Sequence, residues 1–289
     1  MRLQQQCVEC LLRKRLPDYP ATATPAQAEE YQRRITDAIV NFGERSSPEV
    51  TSQVDAIYRE LFGPQRDYTD VKRRFNALML AVEPAMLADV EGAADPLRRA
   101  VQYAMTGNYI DFAALGDIDE GELRKKLMAV DGVSVDPEAL EDLRREAVSA
   151  RRMAYFTDNC GEIVTDKVLV RTLRRLNPGL FVTVIVRGAP VVNDATLEDA
   201  RQVGMEAVAQ RVIGNGCNLP GIVLKRISRE ALAEAEAADF LISKGQANYE
   251  GLNGCGRNIY YIFMCKCQMF MDRFGVAKFS GVLTREPGA

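Results

Sequence analysis

MAYFTDNCGEIVTDKVLV, Met153 to Val170, is the stretch whose reading decides the fold. Its apolar start, Met153 to Thr157, has the length of a buried strand and stops at Asp158-Asn159. Cys160-Gly161 follow. From Glu162 the apolar residues Ile163, Val164, Val168 and Leu169 recur at helical spacing. Arg171, Arg174 and Arg175 fall towards the far end, where cations suit the negative pole of a helix. The reading is strand, acidic tip, glycine turn, helix. In an open α/β sheet the carboxyl ends of parallel strands border the ligand crevice. A following helix turns its unpaired N–H groups into the same crevice. A carboxylate facing an anion-binding helix end makes sense if a cation bridges it to a phosphate.

Downstream the pattern repeats. Short apolar runs at Phe181–Val186, Arg211–Gly214, Phe240–Ser243 and Ile259–Met264 alternate with helix-like stretches at Glu162–Leu176, Leu197–Val203 and Arg229–Ala237. Strands alternating with helices predict a parallel sheet covered on both faces. Gly216 to Leu219 reads as a loop. Upstream, residues 1 to about 150 read as helical, with apolar faces along Ala26–Gly43, Pro48–Phe62, Lys72–Val90, Leu97–Met105, Glu120–Met128 and Pro137–Ala150. Pro84 is a point where the third of these would kink or divide. Asp136 before Pro137 is a helix cap before a first-turn proline. The expected organisation is a helical domain over 1–150 and an α/β domain over 151–289. The fold class is α/β: an all-α domain followed by a three-layer α/β/α sandwich with a mainly parallel sheet.

The strand ends share a composition. After the first run come Asp158, Asn159, Gly161 and Glu162. After the second come Arg187-Gly188, then Asn193-Asp194; after the third, Gly214-Asn215-Gly216; after the fourth, Lys244-Gly245. Parallel strands put these ends on one edge. Two carboxylates and an amide oxygen, from Asp158, Asp194 and Asn159, make a hard-metal site. Lys244 and Arg187 supply positive charge for a phosphate, and Gly188 and Gly245 let backbone N–H groups come close to an anion. Taken singly, Asp158 is a helix cap, Asn193-Asp194 cap the helix near Thr196, and the glycines serve tight turns. The coincidence of four such ends favours a joint site.

Composition sets limits. The chain has 289 residues, 47% hydrophobic, with a formal net charge of −3. That balance does not suit nucleic acid or anionic membranes as partners. No apolar stretch has the length of a membrane span and no signal-peptide core opens the chain, so a cytoplasmic location is expected. There is no histidine. This excludes Ser-His-Asp and Cys-His chemistry and any His-ligated metal within this chain; oxygen ligands favour hard divalent ions. The seven cysteines suit a reducing compartment. Cys7-x-x-Cys10 has metal-ligand spacing, and Cys265-x-Cys267 would complete four thiolates only if the chain ends meet; cysteines on a packed helical turn are the plainer reading. Cys160 lacks a histidine base and is read as a spectator. GxxxxGK[ST] is absent, and the glycines from Gly214 to Gly221 miss the dinucleotide spacing.

Asp158-Asn159-x-Gly161-Glu162, Arg187-Gly188-x-Pro190-x-x-Asn193-Asp194-Ala195-Thr196 and Lys244-Gly245-Gln246-x-Asn248-Tyr249-Glu250 together resemble the DUF89 family of metal-dependent damage-control phosphatases. Gly107-Asn108-x-x-Asp111 resembles a further family signature, and Cys7-x-x-Cys10 marks the prokaryotic branch. Ala247 stands where glycine is expected and Cys160 where alanine is more usual. The resemblance implies a divalent cation (Mn²⁺, Co²⁺, Ni²⁺ or Mg²⁺) held by Asp158, Asn159 and Asp194. It implies phosphate contacts from Lys244 and Asn108, with Asp111 nearby. The implied activity is hydrolysis of phosphomonoesters of small metabolites, described as sugar phosphates and damaged phosphometabolites.

The mechanism expected from these residues is attack by a metal-activated water. Lys244, Arg187 and the amides at Gly161-Glu162 would hold the phosphoryl oxygens, with Glu162 orienting a water. Direct attack by Asp158 or Asp194 is the alternative route. Two other readings stand beside it. A carboxyl methyltransferase using S-adenosylmethionine would need an acidic residue after the second strand, where Arg187-Gly188 stands instead. A non-catalytic phosphometabolite-binding protein would have no need of a metal. The oligomeric state is open.

Overall fold

The computed structural model describes residues 1–111 and 119–288. Within them one sheet contains β1 (Arg152–Phe156), β2 (Phe181–Val186), β3 (Arg211–Gly214), β4 (Phe240–Lys244), β5 (Ile259–Met264) and β6 (Gly281–Glu286). Their order is β3-β2-β1-β4-β5-β6. β1 to β5 run parallel and β6 runs antiparallel to β5. The runs read as strands are β1 to β5. β6 was not anticipated. As an edge strand it pairs on one side only, and it buries just Val282 and Leu283. It therefore lacks the apolar run that marks a strand covered on both faces.

The helices are α1 (Gln5–Arg15), α2 (Pro25–Val40), α3 (Ser47–Phe62), α4 (Thr69–Gly92), α5 (Pro96–Gly107), α6 (Glu120–Met128), α7 (Pro137–Ser149), α8 (Glu162–Leu176), α9 (Leu197–Gln202), α10 (Arg229–Ala237), α11 (Gln246–Leu252) and α12 (Gln268–Phe274). Several start where the sequence caps them. Thr24 and Gln27 form a capping box, as do Ser46 and Glu49, and Asp95 and Asp136 each precede a first-turn proline. Asp136 accepts from the Ala139 N–H at 2.8 Å. α4 runs unbroken through Pro84. α11 and α12, of seven residues each, are additional to the helices expected from the sequence.

Alternation along the strands divides the core. Met153, Tyr155, Val182, Val184, Phe240 and Ile242 face one side and pack with residues of α4, α5, α7 and α8. Ala154, Phe156, Ile185, Leu241, Tyr261 and Phe263 face the other and pack with α10, α11 and α12. This is the three-layer arrangement. The apolar cluster on the first face runs from Phe75 to Leu283 and so crosses residue 150, while α1 to α3 build a smaller core around Tyr31, Ile35 and Val54. No helix of the described residues is long and apolar enough to cross a membrane.

The crossovers from β1 to β2 and from β3 to β4 go in opposite directions across the sheet, so the strand order reverses between the neighbours β1 and β4. In an open parallel sheet that reversal opens a crevice beyond the strand ends. Asp158 and Asn159 follow β1, and Gly245 follows β4, on the two lips of it.

Candidate active site

The turn from β1 into α8 is tight. Gly161 has φ +68°, a conformation that side-chain-bearing residues rarely adopt. Its N–H donates to Asn76 Oδ1 of α4 at 2.6 Å, and the Glu162 N–H donates to the Cys160 carbonyl at 2.7 Å. These are the two amides expected to hold phosphate oxygens. Both are spent inside the protein, the first on a side chain of α4 and the second within the turn itself.

The segment after β2 folds back over the β1 tip. Asn159 pairs through its backbone with Asp194, and Arg187 with Thr196. The Cys160 N–H donates to the Asn193 carbonyl at 2.8 Å and the Ala195 N–H to the Asp158 carbonyl at 2.7 Å. Val192 is held at φ +42°, which for a β-branched residue costs on the order of 1–3 kcal/mol. Asp158, Asn159 and Asp194 are thereby brought together, each almost wholly buried. Arg187 Nε donates to Asp194 Oδ2 at 2.5 Å, its Nη2 donates to Asn248 Oδ1 at 2.8 Å, and Nη2 lies 3.7 Å from Asp158 Oδ1. Gly188, expected at the phosphate, gives its N–H to Asn215 Oδ1 at 2.7 Å and to the Cys217 carbonyl at 3.1 Å. A Cβ there would collide with the backbone of Gly216 and Cys217, so the glycine serves close packing of two strand ends.

Asn108 arrives from the far end of α5. Gly107 lets that end approach α8, since a Cβ at Gly107 would overlap Thr165 Oγ1. Asn108 Nδ2 donates to Asp158 Oδ2 at 3.0 Å and to both Glu162 oxygens at 3.0 and 2.9 Å, while its Oδ1 accepts from the Met264 N–H at 3.0 Å. Asn159 Nδ2 donates to Asp158 Oδ2 at 2.8 Å and to Glu162 Oε2 at 2.9 Å. Lys244 Nζ donates to the Ala104 carbonyl at 2.9 Å, to Glu162 Oε1 at 2.7 Å and to Asp166 Oδ1 at 2.5 Å.

Four residues expected at the phosphate have other partners here. The three protons of the Lys244 ammonium are all committed, and the side chain has no exposure. It lies behind the carboxylates, with no donor left over for an anion. The reason is alternation: Phe240 and Ile242 point at the α5–α8 layer, and Lys244 continues that face. Asn108 is a clamp on Asp158 and Glu162. Glu162 is the acceptor at the centre of the network and faces donors, not an anion. Gly245 has φ +83°, and a Cβ on it would fall on Asp158 Oδ2; its place in the site is to leave room for that carboxylate.

Lys266 was missed. Its Nζ lies 2.7 Å from Asp111 Oδ2, and its backbone N–H donates to Gln246 Oε1 at 2.6 Å. It follows β5 in Cys265-Lys266-Cys267, a fifth strand end that the rule applied to the other four would have included.

The electrostatics are crowded. Burial, then Glu162, Asp194 and Asp111, push the Asp158 carboxyl well above the ordinary carboxylate range, with Lys266 opposing. Burial raises Asp194 as well, with Arg187 opposing. Burial disfavours the charge on Lys244, but Asp166 and Glu162 overcome it and the ammonium lies above the usual lysine value. Among the described residues, the carboxylates Asp111, Asp158, Glu162, Asp166 and Asp194 face the cations Arg187, Lys244 and Lys266. Five carboxyl groups share three cations, which is why burial and mutual repulsion raise Asp158, Asp166 and Asp194.

Cys160 is buried and its thiol is pushed up by that burial, so it is not a poised nucleophile. All seven cysteines are free; Cys7 and Cys267 pack against the same apolar cluster, where Gln246 Nε2 donates to Cys267 Sγ at 3.4 Å. A cleft of about 640 Å³ between the α2–α3 loop and the end of α11 contains none of the network above.

Comparison with known proteins bears on the family and the fold. Residues 3–282 match the model of the damage-control phosphatase ARMT1-like domain. A damage-control phosphatase of Archaeoglobus fulgidus is 33% identical over 222 residues, 75% of this chain and 75% of that one. A damage-control phosphatase of Pyrococcus horikoshii is 32% identical over 62% of this chain and 61% of its own length. An uncharacterised protein of Methanocaldococcus jannaschii is 28% identical over 99% of this chain and 96% of its own. The crystal structure of a DUF89 family protein from Pyrococcus horikoshii superposes with a TM-score of 0.79, covering 99% of both chains at 24% identity, a likeness of fold.

Proposed function

The chain belongs to the damage-control phosphatase ARMT1-like domain family, and from that premise we propose that it hydrolyses phosphomonoesters of small metabolites with a divalent cation held by Asp158, Asn159 and Asp194. Family membership supports a phosphatase; the metal, the substrate class and the nucleophile are the proposal. The observation that carries it is the convergence of the buried oxygen donors Asp158, Asn159 and Asp194 where carboxyl groups outnumber cations. The donor set fits a hard or borderline divalent ion: two carboxylates and one amide, with no sulfur or imidazole. Mn²⁺, Co²⁺, Ni²⁺ and Mg²⁺ all fall within that range. Bound there, such an ion supplies charge to a phosphoryl oxygen and acidifies a water beside it.

The chain's own residues do the rest. The amides of Asn108 and Asn159 fix Asp158 Oδ2. With Nδ2 of Asn159 spent on Asp158 and Glu162, its Oδ1 is turned away from them. Arg187, pinned by Asp194 and Asn248, offers its charge beside Asp158. Lys266 on the opposite lip, ion-paired among the described residues with Asp111 alone, is the cation for the remaining phosphoryl oxygens, whereas all three protons of Lys244 are committed elsewhere. Asp158 Oδ2 already accepts two hydrogen bonds, which suits holding better than attack, and a water nucleophile is preferred. The substrate class is sugar phosphates or damaged phosphometabolites.

Phosphate release from p-nitrophenyl phosphate by chelator-stripped protein tests this directly. Turnover should appear on adding one of the four ions and vanish with excess chelator. Equal turnover with and without metal would overturn the reading. Lys266→Ala should raise KM for the same substrate by roughly tenfold, about 1.4 kcal/mol, with a smaller change in kcat. An unchanged KM would remove Lys266 from the phosphate site.

A further inference from the structure

Behind the proposed metal ligands lies a buried group that the reaction does not use. Asp166 stands one helical turn after Glu162 on α8, and both side chains have no exposure. Tyr155 of β1 donates its hydroxyl to Asp166 Oδ1 at 2.8 Å, and Lys244 of β4 donates to the same oxygen at 2.5 Å. Asp166 Oδ2 is buried with no hydrogen-bond partner among the described residues. A carboxylate with one bare oxygen in the interior is costly and needs an explanation.

The partition of hydrogen bonds on Glu162 supplies one. Lys244 takes Oε1. The Asn159 N–H and Nδ2 take Oε2, at 3.2 and 2.9 Å. Asn108 Nδ2 reaches both. With Glu162 as its only counter-charge, the ammonium would centre on that carboxylate and compete with the amides for Oε2. Asp166, anchored by Tyr155, draws it to the other side. An asparagine amide can sit either way round, and Glu162 Oε2 together with Asp158 Oδ2, 2.9 and 2.8 Å from Nδ2, decides which end of Asn159 faces them.

We propose that Asp166 is a positioning residue: acting through Lys244 and Glu162, it keeps the Asn159 amide oxygen presented to the divalent cation. This rests on the metal reading given above. Tyr155 is the anchor of the arrangement.

The Asp166 carboxyl is pushed up to about 7 by burial, with Glu162 adding to the rise and Lys244 and the Tyr155 hydroxyl opposing it. The groups facing it are Tyr155 from β1, Lys244 from β4 and Glu162 from its own helix, with the Ala104 carbonyl of α5 reached through Lys244. Protonation removes its hold on Lys244, which adds to the loss of Mn²⁺ affinity that the raised Asp158 and Asp194 carboxyls bring as pH drops. Tyr155→Phe removes an interaction that lowers the value, so the acid limb should move to higher pH.

The experiment is calorimetric titration of metal-free protein with Mn²⁺ between pH 5.5 and 8.5, for wild type, Asp166→Asn and Tyr155→Phe. Asp166→Asn should weaken Mn²⁺ binding by about 10- to 100-fold, while kcat at saturating Mn²⁺ stays within roughly threefold, as expected for a group acting on the ligand shell and not on the reacting atoms. Wild-type Mn²⁺ affinity in a folded Asp166→Asn would overturn the inference. So would an unshifted acid limb in Tyr155→Phe, which decides the matter if Asp166→Asn does not fold. Wild type that binds no Mn²⁺ at any pH would overturn the metal reading itself, a separate failure.

Discussion

Asp158→Asn is expected to lower kcat/KM for any phosphomonoester by on the order of a thousandfold or more, about 4 kcal/mol of transition-state stabilisation. The substitution is nearly isosteric. The Asn108 and Asn159 amides still find an oxygen at the position of Oδ2. What is lost is the charge that holds a cation. Without metal, the variant should melt at the same temperature as wild type or higher. The sign follows from the raised Asp158 carboxyl, which burial and three neighbouring carboxylates make hard to ionise. A carboxyl whose folded-state pKa exceeds its unfolded one reduces stability once pH passes the unfolded value. Removing it removes that penalty. Added Mn²⁺ should raise the melting temperature of wild type and leave the variant unmoved. Thermal melts with and without Mn²⁺, beside activity assays, check both halves. Full activity in the variant would end the assignment of Asp158 to the metal.

Lys244→Met separates two accounts of one residue. If Lys244 contacted phosphate, as its place in the sequence suggests, the variant would fold normally and show a raised KM. The structure leads to a different outcome. Lys244 is the buried counter-charge of Glu162 and Asp166, at 2.7 and 2.5 Å. Removing it strands two carboxylates in the interior, which costs about 3–5 kcal/mol and lowers the melting temperature by on the order of 10 °C. The deficit should narrow from pH 8 to pH 5. Asp166, already pushed up to about 7 with the lysine present, takes up a proton as pH falls and no longer needs a partner. Urea melts at the two pH values measure this. An unchanged midpoint at both would return Lys244 to the phosphate.

The parts of the site that were legible in the sequence are those set by a single segment. Asp158-Asn159 ends an apolar run and Gly161 turns the chain; both follow from neighbours along the chain. The Asp194 segment was legible for the same reason. Lys266 was legible in principle, since it ends β5 as Asp158 ends β1. The roles of Lys244, Asn108 and the Gly161 and Gly188 amides were not. Each depends on what stands opposite: Ala104 and Asp166 for Lys244, Glu162 for Asn108, Asn76 for Gly161, Asn215 for Gly188.

The sequence by itself determined the α/β class, five of the six strands, the helical first half and the acidic residues at the strand tips. Periodicity and composition carry that much, because the faces a segment must bury are written in its own residues. The tertiary structure alone decided that β1 lies beside β4, that α5 ends against α8, and that Gly245 cradles Asp158. Those pairings join positions far apart along the chain, such as Met153 with Phe240 and Asn108 with Glu162. Their choice depends on the packing of the whole core, and no local pattern of side chains specifies it.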